Sequence, residues 1–387
     1  MKPIYLDHAA TTRLSETALA AMLPYFLDDY GNPSAIHSFG QAARAAVEKS
    51  RERVAKAIGA LRNEIVFTSG GTESDNWALR GVCRLKRDRG RHIVSSAIEH
   101  SAVLRTLEQL EADGFEVTLL APDRCGRISP EQLEAALRPD TILASVMLAN
   151  NVVGTLQDIP ALAAVARRRR VLFHTDAVQA AGHIPLDARA LGADFISLSA
   201  HKFGGPKGVG ALYCRLPNRL PALLTGGGQE KEMRSGTENV PGIVGMAAAL
   251  EEAVAQLPES VPRLEALRDR FISGALALPG VRLTGDPERR LPGFCSFVVE
   301  GLNHSVPLVN ELNVRGVCVS SGSACSAASK EASHVLLAMG WDARAARTAL
   351  RVTFGPENTG DDADAALGAL REALGVLRSN GGVGKGG

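Results

Sequence analysis

Through the first two thirds of the chain, apolar positions fall into short, almost continuous runs. Longer stretches separate them, and there the apolar positions recur every three or four residues. Glu64-Ile65-Val66-Phe67-Thr68, His92-Ile93-Val94-Ser95-Ser96, Val117-Thr118-Leu119-Leu120, Thr141 to Leu148, Val171-Leu172-Phe173 and Phe195-Ile196-Ser197-Leu198 read as strands. Runs with so little alternation suit a sheet covered on both faces. Val47, Val54 and Ile58 mark one side of a helix from about Gln41 to Ala60. Ser129-Pro130-Glu131-Gln132 opens another. Ser129 caps it, Pro130 suits the first turn, and Gln132 completes a capping box. Alternating strands and helices predict an α/β fold with a mainly parallel sheet and helices on both faces.

The pattern changes after Leu250. Leu264 to Leu278 reads as a helix, Phe294 to Val299 and Val314 to Val319 read as strands, and Trp341, Leu350, Val352 and Phe354 form a late apolar region. This predicts a smaller α+β domain. The expected division is 16–255 for the large domain, 1–15 and 256–379 for the small one, and a glycine-rich tail at 380–387 that is costly to order. Pro307, within Asn303 to Leu308, is expected to disturb a helix.

Charge narrows the function classes. Forty-three Lys and Arg against 42 Asp and Glu leave a formal +1, so there is no overall basic field to gather nucleic acid. Arg167 to Arg170 reads either as the end of a solvated helix or as a local basic surface. Met1 reaches Asp7 before any apolar run forms, and no stretch approaches the roughly 18 apolar residues that span a bilayer. The expectation is a cytoplasmic protein without a membrane segment. Six cysteines are scattered without a Cys-x-x-Cys pair, which argues against a disulfide framework or a zinc site. Most read as small buried hydrophobes. Cys325 differs, because Ser320 to Ser326 is a run of small and polar residues, which suits an exposed thiol.

Three segments carry candidate chemistry. Ser69-Gly70-Gly71-Thr72-Glu73 follows a strand and precedes a helix, where free N–H groups hold a phosphate; a plain connecting turn explains it equally. Asp176 ends the strand from Val171, in reach of the crevice where α/β sheets bind ligands, with Gln179 three residues on. A carboxylate there pairs with a protonated ring nitrogen, or else caps a helix. Ser199-Ala200-His201-Lys202 leads into a turn dense in Gly and Pro, and the Lys202 amine is suited to condense with an aldehyde cofactor.

Those segments, with Tyr5-Leu6-Asp7-His8-Ala9-Ala10-Thr11-Thr12, Gly31-Asn32-Pro33-Ser34, His174-Thr175-Asp176-Ala177-Val178-Gln179, Arg234-Ser235-Gly236-Thr237-Glu238-Asn239 and Ser320-Ser321-Gly322-Ser323-Ala324-Cys325-Ser326, resemble the cysteine desulfurases of the nitrogen-fixation and iron–sulfur-assembly group, within the class V aminotransferases. The resemblance runs almost end to end. It implies the fold type I architecture of pyridoxal phosphate enzymes, with a seven-stranded sheet, and conversion of L-cysteine to L-alanine. Lys202 then holds pyridoxal 5'-phosphate and shuttles protons, Asp176 meets the ring nitrogen, Gln179 the ring hydroxyl, and His100 stacks on the ring. Gly71, Thr72, Ser199 and His201 take the phosphate, with Thr237 supplied across a homodimer. Asn151 and Arg351 take the substrate carboxylate, a task that suits the planar guanidinium fork. Strand alternation read by itself puts Arg351 on a solvent face. Cys325 accepts the sulfur as a persulfide and passes it to an iron–sulfur scaffold or sulfur-carrier protein; the long serine-rich segment resembles the branch that does so. Two departures stand out: Val152, where the family has glutamate, and Pro307. A selenocysteine lyase or another class V lyase is the nearest alternative. An aminotransferase leaves the cysteine segment unexplained, and a noncatalytic sulfur-scaffold or tRNA-binding module has no need of Lys202, Asp176 and Arg351 together.

Overall fold

The computed structural model describes residues 3–215, 220–321 and 331–381. The strands are β1 (Ile4–Tyr5), β2 (Ile65–Thr68), β3 (His92–Ser96), β4 (Glu116–Leu120), β5 (Thr141–Ser145), β6 (Leu172–Asp176), β7 (Phe195–Ser199), β8 (Gly210–Cys214), β9 (Val281–Leu283), β10 (Phe294–Val299), β11 (Val317–Cys318) and β12 (Ala349–Thr353). Seven of them form one sheet in the order β2-β8-β7-β6-β5-β3-β4. β8 runs antiparallel to both neighbours and the remaining pairs are parallel. Every residue of β2, β3, β5, β7 and β8 is buried, as expected for a sheet sandwiched between helical layers. The mainly parallel seven-stranded sheet is therefore as expected, with β8 added to the strands read from the apolar runs.

The helices that matter for the site are α1 (Glu16–Met22), α2 (Pro24–Leu27), α3 (Ser38–Ala57), α4 (Gly71–Lys86), α5 (Ser101–Ala112), α6 (Pro130–Ala136), α7 (Ile159–Arg168), α8 (Ala188–Leu191) and α9 (Val240–Leu276). The capping box at α6 is formed as read: Ser129 Oγ accepts from Gln132 N at 3.1 Å, and Gln132 Oε1 accepts from Ser129 N at 2.9 Å. Arg167 and Arg168 end α7, as the helix-end reading has it. α9 is long and apolar enough to cross a bilayer by length and composition, unlike anything expected from the sequence. Its apolar length goes elsewhere: Gly242 to Leu250 are all buried, and the helix packs on α1 and α3.

The second unit holds a three-stranded antiparallel sheet, β12-β10-β9, and the parallel pair β1-β11. Phe271, Phe297, Leu350, Phe354 and Leu374 pack its core, with α10 (Val306–Val314), α11 (His334–Ala338), α12 (Ala343–Ala346) and α13 (Gly360–Gly381) around it. Pro307 does not break α10. It sits in the first turn, where a missing N–H costs nothing and the fixed φ is helical.

Late in the first unit, the segment after Gly228 takes an unusual path. Glu230, Lys231 and Glu232 are consecutive non-glycine residues with φ of 48°, 58° and 67°. The buried Glu230 carboxylate secures this turn. It receives Arg51 Nη1 and Nη2 at 2.6 and 2.7 Å and the Phe67 N–H at 3.0 Å. Arg234 then reaches Glu73 in the first turn of α4, at 2.9 Å. Both anchors grip the elements on either side of the Ser69-Gly70-Gly71 turn.

Candidate active site

A cavity of about 980 Å³ opens at the carboxyl ends of the parallel strands and runs to the second unit. Its walls include Gly71, Thr72, His100, Asn151, Asp176, Gln179, Ser199, His201, Lys202 and Arg351. The structure thus brings ten of the twelve residues singled out from sequence to one place. Thr237 is exposed and outside this lining, and Cys325 lies outside the described residues.

The turn leaving β2 is closed by hydroxyls. Thr68 Oγ1 lies 2.8 Å from Ser74 Oγ, and Ser74 Oγ donates to the Gly70 carbonyl at 3.1 Å. Gly70 has φ of 150°, which favours glycine, and α4 begins at once with Gly71. The first amides of this 16-residue helix have no partner within it, which makes an anion cradle. Ser199 ends β7 beside that cradle, its Oγ 3.6 Å from where a Cβ on Gly70 would stand. His201 follows, its ring held by Thr11 Oγ1 at 3.1 Å. Burial, with Lys202 and Lys207 adding to it, lowers His201 to about 4, so its neutral ring offers a hydrogen bond rather than a charge.

The Lys202 amine donates to the carbonyls of Ala9 and Ala10 at 2.7 and 2.8 Å, and Gln179 Nε2 donates to Ala9 at 2.9 Å. The amino-terminal segment thereby aims both side chains. Asp176 ends β6 and accepts the Val178 N–H on Oδ1 at 2.8 Å. Burial, helped by the neighbouring Asp75, pushes its carboxyl up to about 7. A cation arriving at Asp176 reverses that shift. His100 caps α5, its Nδ1 accepting from Ala102 N at 3.2 Å. Burial pulls it below the usual histidine range, with Asp176 opposing.

Arg351 is 1% exposed and faces inward, against the alternation argument. β12 is buried along its whole length, so alternation has no solvent face to select. Its Nη1 donates to the Asn151 carbonyl and its Nη2 to Asp7 Oδ1, both at 2.7 Å. Among the described residues, Arg351 Nε and Asn151 Oδ1 are buried without a hydrogen-bond partner. Such orphans in a native site call for a ligand that satisfies them. Val152 is 1% exposed and packs with Ile98, Val153, Val335 and Leu336, bridging the two units. An apolar side chain here replaces a charge with packing.

Sequence reasoning missed His334 and Asp7. His334 starts α11, lines the cavity, and hydrogen-bonds the Glu99 carbonyl at 3.1 Å. Its place depends on packing between units, which no local pattern encodes. The donor set fits a ligand with a phosphate, a basic ring nitrogen and an aldehyde: amides at the α4 terminus, a carboxyl at Asp176 and an amine at Lys202. Pyridoxal 5'-phosphate has those three groups.

The aminotransferase class-V family pattern matches residues 4–366. The chain is 46% identical over 378 residues to the cysteine desulfurase IscS of Methanosarcina thermophila, covering 98% of this chain and 93% of that one. It is similar to a solved NifS-like protein, with a TM-score of 0.92 and 40% identity over 97% of this chain and all of the other. It is also similar to SspA solved in complex with cysteine, with a TM-score of 0.81 and 35% identity over 92% of this chain and all of that one.

Proposed function

The chain belongs to the aminotransferase class-V family, as a cysteine desulfurase, and we propose that Lys202, Asp176, His100, Arg351 and Cys325 carry out its conversion of L-cysteine to L-alanine. One observation carries this assignment: the single cavity that joins the α4 cradle, Lys202, Asp176 and Arg351. Gly71, Thr72, Ser199 and His201 hold the phosphate of pyridoxal 5'-phosphate, Asp176 its ring nitrogen and Gln179 its ring hydroxyl. When bound, the cofactor supplies an electron sink that makes the substrate α-carbon acidic. Arg351 and Asn151 take the substrate carboxylate through their N–H donors, which satisfies the buried Arg351 Nε. Lys202 binds the cofactor and then moves the α-proton, the role a positioned amine serves at short range. His100 lies over the same space as a proton donor.

Cys325 is the sulfur acceptor in this reading. Its thiolate bonds to the substrate sulfur, and the carbon–sulfur bond breaks with its electron pair on carbon. That carbon takes a proton, and the sulfur remains as a persulfide. The five cysteines among the described residues stay out of the cavity lining. Burial pushes the thiols of Cys83 and Cys295 up to about 12, which suits packing rather than sulfur chemistry. The persulfide goes on to an iron–sulfur scaffold or a sulfur-carrier protein. Thr237, exposed on the segment that Glu230 and Arg234 secure, supports donation across a homodimer. The large and small domains are assigned to 16–255 and to 1–15 with 256–379, and the cytoplasm is the assigned compartment.

The test loads the purified protein with pyridoxal 5'-phosphate, adds L-cysteine, and measures alanine and protein persulfide together. Wild type produces both, and Cys325→Ala produces neither at an appreciable rate. Full alanine production by Cys325→Ala overturns the acceptor assignment. Lys202→Ala loses the visible absorption band of the bound cofactor; a band that persists overturns the lysine assignment. A higher kcat/KM for selenocysteine than for cysteine moves the reading to a selenocysteine lyase.

A further inference from the structure

Three imidazoles line the cavity, and two of them, His100 and His334, are each bound on one side by a backbone group of fixed polarity. His100 Nδ1 faces the Ala102 N–H at 3.2 Å, and a peptide N–H only donates. His334 Nε2 faces the Glu99 carbonyl at 3.1 Å, and a carbonyl only accepts. A neutral imidazole carries one N–H and one lone pair, so the bond at one nitrogen fixes the other. We infer that His334 is a second proton-transferring group of this site, matched to His100 in the opposite tautomer: His100 offers an N–H from Nε2, and His334 offers a lone pair on Nδ1.

Desolvation by the cavity walls lowers both rings below the usual histidine range, with Arg105 adding to it at the more open His334, so both are neutral near pH 7 and the tautomers are defined. Protonation then affects the two rings differently. A proton on His100 Nδ1 destroys the cap on α5, because that nitrogen ceases to accept from Ala102. A proton on His334 Nδ1 leaves the Glu99 contact intact, because Nε2 keeps its hydrogen. Of the two, only His334 takes up a proton without breaking its anchor. Among the described residues, the hydrogen bond of this ring is the one at Nε2, and the ring opens on the cavity. The charged and titratable groups around it are Arg105 and His100, with Glu331 and Glu108 on the same cavity wall.

This inference rests on the desulfurase reading and adds a step to it. L-cysteine arrives with an ammonium group, whose nitrogen has no lone pair for bond formation. His334 Nδ1 takes one ammonium proton: the N–H bond breaks, its electron pair stays on the substrate nitrogen, and the ring becomes an imidazolium. His334 is exposed at the cavity wall and returns the proton to water.

Nitrogen NMR of the full-length, cofactor-loaded protein, carrying labelled histidine, reads the tautomers directly. His334 is expected to show an unprotonated Nδ1 and a protonated Nε2, and His100 the reverse; the same tautomer at both overturns the inference. The kinetic arm uses His334→Gln, whose amide nitrogen keeps a donor for the Glu99 carbonyl but lacks the ring lone pair. It is expected to keep the melting temperature and the bound-cofactor spectrum. Its kcat/KM for cysteine is expected to fall by at least ~10-fold, with loss of the acid limb of the pH profile. A wild-type rate and an intact acid limb in His334→Gln make His334 a tether alone and overturn the inference. If the wild type makes no alanine, the desulfurase reading fails by itself, and the NMR result still decides the tautomers.

Discussion

Asp7 and Arg351 are 344 residues apart in sequence and 2.7 Å apart at Oδ1 and Nη2. The pair aims a buried guanidinium at the cavity while leaving Nε without a partner. Arg351→Lys keeps the charge and loses the fork. It is expected to raise KM for cysteine by ~10–100-fold, with the bound-cofactor spectrum unchanged. Asp7→Asn leaves the guanidinium without its counter-charge and is expected to cost about 1–3 kcal/mol of stability, measured by denaturant unfolding.

The proposed contact of Asp176 with the ring nitrogen makes cofactor uptake depend on pH. With its carboxyl near 7, Asp176 is ionised above that pH and neutral below it. Affinity for pyridoxal 5'-phosphate is expected to fall as the pH drops below about 7, because a neutral carboxyl offers no charge to the ring nitrogen. Fluorescence titration of the apoprotein at several pH values measures this. Asp176→Asn is expected to bind weakly at every pH and to lose the dependence.

Glu99 gives stability the opposite trend to an ordinary salt-bridged acid. Burial raises its carboxyl to about 8, and Oε2 has no partner. The folded chain therefore holds this proton where the unfolded chain has released it. Linkage makes stability fall as pH rises from the ordinary glutamate range to about 8. Glu99→Gln removes the titration and is expected to flatten the decline of melting temperature with pH over that window.

Glu232 has a left-handed φ of 67° with an exposed side chain. Such a conformation costs an L-residue roughly 1–2 kcal/mol and a glycine almost none. Glu232→Gly is expected to raise stability by about 1 kcal/mol, less the entropy glycine adds to the unfolded chain, seen as a higher denaturant midpoint.

The sequence made some of these features readable and hid others for physical reasons. β3, β5 and β7 are legible because strands buried on both faces are apolar throughout. Asp176, Ser199 and Lys202 are legible because they stand at or just past strand ends, beside turns rich in Gly or small residues. β8 escaped because Gly208 and Gly210 hide it among turn residues. α9 escaped as one helix because Pro258 and Pro262 lie inside it, where local rules predict a break. The inward face of Arg351 is set by the segment from Leu6 to Asp7 lying beside β12, a relation between the two ends of the chain.

That relation governs how the molecule is made on the ribosome. Leu6 N donates to Cys318 O, Thr353 N to Leu6 O, and Arg351 to Asp7. Ala9 and Ala10, just beyond, hold the Lys202 amine. Leu6 and Asp7 therefore wait for β11 and β12, made more than three hundred residues later, before they find these partners. A nascent chain that has already formed its seven-stranded sheet still lacks the strand that seats its own amino terminus. Competence for the cofactor thus waits on β12, and a chain cut short before that strand emerges with its carbonyls for Lys202 unmoored.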